Sequence, residues 1–119
     1  MAGKQIYEGG CHCGRVRYRA KASLERVLDC NCSICRKRGA LWTYVQPEEF
    51  ELLSGESDLS DYQFNNKIIH HVFCRHCGVG SYSYGPAPSG ENIFALNVRC
   101  LDGVDVASLT LTPFDGKSL

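Results

Sequence analysis

The chain has 119 residues, zero formal charge and a pI near 6.9, which excludes the global positive charge that draws a domain to nucleic acid or an anionic membrane; any basic patch must be local. At this length residues 1–119 read as one domain with a modestly buried core, to which metal cross-links would add support. Eight cysteines are the compositional outlier, and no Ser/Gly/Pro linker, charge block or low-complexity tract divides the chain.

Residues 1–7 are polar with no apolar run, so neither a signal peptide nor a spanning helix is expected, and the setting is predicted to be cytoplasmic and reducing. Gly9-Gly10-Cys11-His12-Cys13-Gly14 follows as a tight clip whose glycines allow close backbone approach to an ion. Residues 14–20 alternate Arg15, Arg17 and Arg19 with Val16, Tyr18 and Ala20, the period-two pattern of a strand with one solvated and one buried face. A strand over 25–29 runs into Cys30-Asn31-Cys32-Ser33-Ile34-Cys35. Only 33–38 reads as helical, for a turn or two, with Ser33 as N-cap. Its first amides would lie beside the cysteines and favour thiolates.

Further strands are predicted over 41–45, 50–53, 68–73, 80–84 and 93–101, separated by turn-forming residues at 46–49, 54–56, 65–67, 85–90 and 102–103. The chain is therefore mainly β. His70 and His71 are adjacent on one of these strands and so face opposite sides, one expected buried and one wet, neither with an evident carboxylate partner in sequence. Cys74-Arg75-His76-Cys77-Gly78 is a second clip. Cys100 stands apart on the last strand, as a small buried hydrophobe, as a fourth ligand for the middle cluster, or as a nucleophile.

Thiols packed within a few residues of one another suit one ion better than distant disulfide partners, as does a reducing setting. Two plus two sulfurs from Cys11, Cys13, Cys74 and Cys77 complete a tetrahedral zinc site. Joining clips so far apart in sequence makes such a site a large structural contribution. His12 and His76 lie within the clips, but the sulfurs already fill the tetrahedron. Cys30, Cys32 and Cys35 supply three thiolates and leave a fourth, labile position for water or a substrate thiol. Three thiolates on a dication carry one net negative charge, which Arg36, Lys37 and Arg38 next in sequence can offset while attracting an anionic ligand. Zinc is preferred to an iron–sulfur cluster because so compact a run does not match common cluster spacings, with iron in the four-cysteine site as the alternative.

The ordered trio of Gly9-Gly10-Cys11-His12-Cys13-Gly14-Arg15-Val16-Arg17-Tyr18, Cys30-Asn31-Cys32-Ser33-Ile34-Cys35-Arg36-Lys37 and Phe73-Cys74-Arg75-His76-Cys77-Gly78 resembles the glutathione-dependent formaldehyde-activating enzyme and centromere protein V family. Asn97-Val98-Arg99-Cys100-Leu101-Asp102-Gly103 is similar to the family's late strand and turn. The resemblance implies a β-tent fold of coiled antiparallel sheets. It implies a structural zinc at Cys11, Cys13, Cys74 and Cys77 and a catalytic zinc at Cys30, Cys32 and Cys35. It also implies addition of glutathione to formaldehyde to give S-hydroxymethylglutathione, formally a carbon–sulfur lyase reaction in reverse.

The leading expectation is thus a zinc-dependent carbon–sulfur lyase, with Arg36 and Lys37 as candidates for substrate carboxylates. Two other classes compete. One is a non-catalytic zinc module for a macromolecular partner, of which nucleic acid is disfavoured by the zero net charge. The other is a thiol redox enzyme using Cys100, a role that Asp102 and Asp105 nearby work against.

Overall fold

The computed structural model describes residues 3–64 and 67–118. Met1 and Ala2, and the Asn65-Asn66 part of an expected turn, lie outside the described residues; Lys67 has φ 57° and its amide donates to Phe64 O at 2.9 Å.

The alternating arginines form a strand as expected: Val16, Tyr18 and Ala20 are buried, while Arg15 and Arg19 are exposed. The strand itself is β2 (Arg17–Ala22), and it pairs antiparallel with β1 (Gln5–Gly10). It starts later than predicted because residues 11–14 form the hairpin tip, with Cys11 N bonded to Val16 O at 3.0 Å and Gly14 at φ 86°. β1 carried no periodic signal. Gln5, Ile6 and Glu8 are all exposed, so pairing with β2 rather than an apolar face makes this segment extended.

The helix α1 (Ser33–Arg38) has the predicted bounds but not the predicted cap. Cys32 is the N-cap, its sulfur accepting from Cys35 N at 3.4 Å, and Gly39 ends the helix at φ 69°. A sulfur can replace the usual hydroxyl because the same loop gathers three of them.

Strands β3 (Val27–Cys30), β4 (Trp42–Val45), β5 (Phe50–Ser54), β6 (Leu59–Tyr62), β7 (His71–Cys74), β8 (Tyr82–Pro86), β9 (Asn92–Asn97) and β10 (Leu111–Phe114) complete the fold. β1, β2 and β5 make one sheet, a five-stranded sheet has the order β10-β3-β4-β9-β8, and β6 pairs with β7. β10 runs parallel to β3 and sets Phe114 opposite Cys30. The fold is mainly β, with one α-helix among the described residues. The strand expected over 93–101 stops at Asn97, whose side chain accepts from Arg99 N at 3.2 Å and starts a 3-10 turn, so Cys100 lies on that turn. Ile68 and Ile69 likewise fall outside β7 and are exposed.

Between the first two sheets Tyr18, Phe50, Tyr82 and Phe94 pack together, with Phe50 and Phe94 stacked at 4.3 Å and Tyr18 donating to Ser81 O at 3.1 Å. At the hairpin tip a Cβ on Gly10 would lie 2.0 Å from Val16 O, a backbone atom that cannot move without breaking the tip. Gly10→Ala is therefore expected to cost about 1–3 kcal/mol, read as a lower urea midpoint in zinc-loaded protein; an unchanged midpoint would show that the tip opens freely.

Candidate metal centres

The first group forms where two turns meet. Cys11 and Cys13 sit at the tip of the β1–β2 hairpin and Cys74 and Cys77 at the end of β7, and their four sulfurs all lie within 4.8 Å of one another. The Cys11–Cys13 and Cys13–Cys74 sulfur separations are both 3.6 Å. A tetrahedral zinc with bonds of about 2.3 Å requires sulfur edges of about 3.8 Å, so the donor set fits that ion. Val16 N donates to Cys11 Sγ at 3.3 Å and His76 N to Cys74 Sγ at 3.4 Å, contacts that favour thiolate. The amide and side chain of Arg15 lower the pKa of Cys13. Cys77 is lowered to about 6, burial notwithstanding, by the amides of Val79 and Cys13 and the thiols of Cys74 and Cys11.

The histidines inside the clips are directed elsewhere. His76 Nε2 bonds Asp58 Oδ1 at 2.8 Å, His12 is exposed, and neither joins the sulfur group.

The second group is Cys30, Cys32 and Cys35, brought within 4.8 Å of one another by the end of β3, the helix cap and the first turn of α1. Cys32 N approaches Cys30 Sγ at 3.5 Å and the Trp42 indole N–H donates to Cys35 Sγ at 3.2 Å. Burial, then the negative Cys32, pushes Cys35 up to about 12. Cys32 itself is lowered: burial opposes ionisation, but hydrogen bonds from the Cys35 thiol and amide, from Cys30 and from the Ile34 amide outweigh it. A metal bound here displaces protons from such thiols, so its affinity must rise with pH. Cys100 is not among the trio's neighbours; its sulfur points to Gly80 O at 4.0 Å, and burial raises it to about 11. It neither completes the trio nor has the low pKa of a nucleophile.

A cavity of about 250 Å³ opens beside the trio, walled by Trp42, Tyr44, Ile69, His71, Ala95 and Phe114. The segment after β10 closes one side. Asn31 receives Lys117 N at 3.0 Å and donates to Asp115 Oδ1 at 3.0 Å, and a Cβ on Gly116 would stand 2.5 Å from Cys30 Sγ.

By sequence His71 had no role beyond that of one of two adjacent strand histidines, yet it lines this cavity. Both adjacent histidines are half-buried, in place of the expected split. His70 stacks on Tyr84 at 4.6 Å and bonds Asp61 Oδ2 at 2.5 Å, a carboxylate partner supplied by β6. His71 stacks on Phe64 at 5.3 Å, and its Nδ1 is buried with no hydrogen-bond partner among the described residues. Burial and then Arg38 lower its pKa, which keeps it neutral at pH 7. The only sequence signal was a histidine on a strand that leads into a cysteine clip. Arg36 and Lys37 are exposed on α1, and neither is among the cavity-lining residues.

The family model for the glutathione-dependent formaldehyde-activating enzyme matches residues 6–112. The chain belongs to that family. A crystal structure of a Rhodobacter sphaeroides protein is similar, with a TM-score of 0.79 and 30% sequence identity over 89% of this chain and 97% of that one. In this member of the family both sulfur groups can hold a metal ion and are consistent with zinc. No helix among the described residues is long and apolar enough to cross a membrane.

Proposed function

We propose that the protein is a zinc-dependent carbon–sulfur lyase that condenses glutathione, or a similar small thiol, with formaldehyde to give S-hydroxymethylglutathione. The observation that carries this reading is the contrast between the groups: four sulfurs saturate one ion, while Cys30, Cys32 and Cys35 offer three beside a cavity. Zinc at the trio would supply a Lewis acid that lowers the pKa of a thiol entering its fourth position.

The rest of the chemistry falls to the chain. Trp42 and the amides of the cap disperse the negative charge of the sulfurs. In the addition the thiol loses its proton, a carbon–sulfur bond forms at the carbonyl carbon, and the carbonyl oxygen gains a proton, with no net redox change. His71, neutral and lining the same cavity, serves as the group that takes that proton and returns it to oxygen. The walls hold both reactants at short range, so the gain is mainly orientation. Arg36 and Lys37, directly after Cys35, hold a substrate carboxylate at the exposed side of α1.

A redox role for Cys100 is weakened by its raised pKa and its position near the four-sulfur group. The test mixes zinc-loaded protein with glutathione and formaldehyde and follows adduct formation by NMR. Acceleration over the spontaneous rate is expected. A rate equal to background, together with no thiol-dependent change at the metal, would remove the reading.

A further inference from the structure

Arg38 ends the basic run and differs from its two neighbours in being drawn inward. Its Nη1 is buried with no hydrogen-bond partner, and no carboxylate among the described residues forms an ion pair with it. The guanidinium is held by shape: a Cβ on Gly80 would fall 1.3 Å from Nη2, so the cation occupies the space a side chain there would fill. Burying a cation without a counter-charge is unfavourable. Among the described residues the titratable neighbours of Arg38 are the thiols of Cys35 and Cys100 and the ring of His71, none of them a carboxylate.

A cavity of about 460 Å³ lies against it, lined also by Ile34, Tyr62, His71 and Phe73. Asp61 reaches this cavity but is engaged with His70, which leaves the guanidinium without an anion. His71 lines both this cavity and that of the trio, so the two are neighbours on either side of its side chain.

We propose that Arg38 is the carboxylate anchor of an elongated thiol substrate, which spans from the trio's cavity past His71 into the cavity at Arg38. The inference rests on the thiol reading of the trio and names a specificity-determining residue for it. Arginine suits the role because its planar fork matches a carboxylate with two parallel hydrogen bonds, which lysine cannot reproduce. Arg36 and Lys37 then remain for the second carboxylate of a peptide such as glutathione.

The test is equilibrium binding of S-methylglutathione, which cannot react, to zinc-loaded protein by calorimetry. Arg38→Gln is expected to weaken binding about tenfold or more, the scale of a lost charge-assisted pair, with Arg38→Lys between it and the parent. The dimethyl ester of the probe should bind the parent weakly and be insensitive to Arg38→Gln, and Arg26→Gln, at an exposed position, should change nothing. Equal affinity of parent and Arg38→Gln for S-methylglutathione would overturn the anchor, as would no binding by the parent. Should Arg38→Gln not fold, Arg38→Lys decides on the same scale. Because the probe does not turn over, an Arg38-dependent affinity in protein that fails to accelerate the formaldehyde reaction would keep the anchor and remove the lyase.

Discussion

Cys74→Ser is expected to leave the chain unfolded at neutral pH, even with zinc in excess. Cys74 is completely buried, its sulfur stands 3.6 Å from that of Cys13 across 61 residues of chain, and it ends β7 where the β1–β2 tip docks. Apparent binding free energies of structural zinc are about 10–16 kcal/mol, whereas small domains are stable by about 5–15 kcal/mol in all. Losing a buried ligand of the four-sulfur group therefore removes a contribution comparable with the entire net stability. Far-UV circular dichroism and amide NMR dispersion check this, and a chelator added to the parent should produce the same collapse. A native-like spectrum for Cys74→Ser would show that the clips hold together without the metal.

Cys32→Ser should separate activity from folding. Serine is at least as good an N-cap as a thiol, so α1 loses none of its capping, and with zinc at the intact four-sulfur group the chain should stay folded, losing only the stabilisation that an ion at the trio adds. Metal content measured by mass spectrometry under reducing conditions should fall from two equivalents to one, and adduct formation should drop to the spontaneous rate. These follow from the trio's having no spare donor: the described cysteines outside it are the four of the other group and Cys100, which points to Gly80. Retained turnover in Cys32→Ser would place the chemistry elsewhere in the molecule.

The two outcomes differ because the sulfur groups differ in sequence span, and the same distinction governs what could be read without a structure. Ligands two or three residues apart are forced into proximity by chain geometry alone, so the trio and each clip were legible from spacing, whereas the union of two clips 61 residues apart rested on the count of four sulfurs. Legible too were the buried face of β2, where every second residue is apolar, and the extent of α1. β6 and β10 were not legible. Leu59–Tyr62 carries only two apolar residues and Leu111–Phe114 contains a proline, a residue tolerated in an edge strand such as β10 because an outer ladder position can do without an amide. Their extended form comes from their partners.

By itself, then, the sequence determined the donor atoms, the three-against-four arithmetic and a mainly β chain, since these depend on residue type and short-range spacing. Tertiary structure alone decided what surrounds the open group. Gly116 reaches Cys30 through a parallel pairing of β10 with β3, Asp61 reaches His70 across β6 and β7, and Gly80 leaves the space that Arg38 fills. The physical reason is that each of these contacts joins residues far apart in the chain through strand register, and register is set by packing of the whole core rather than by any local pattern.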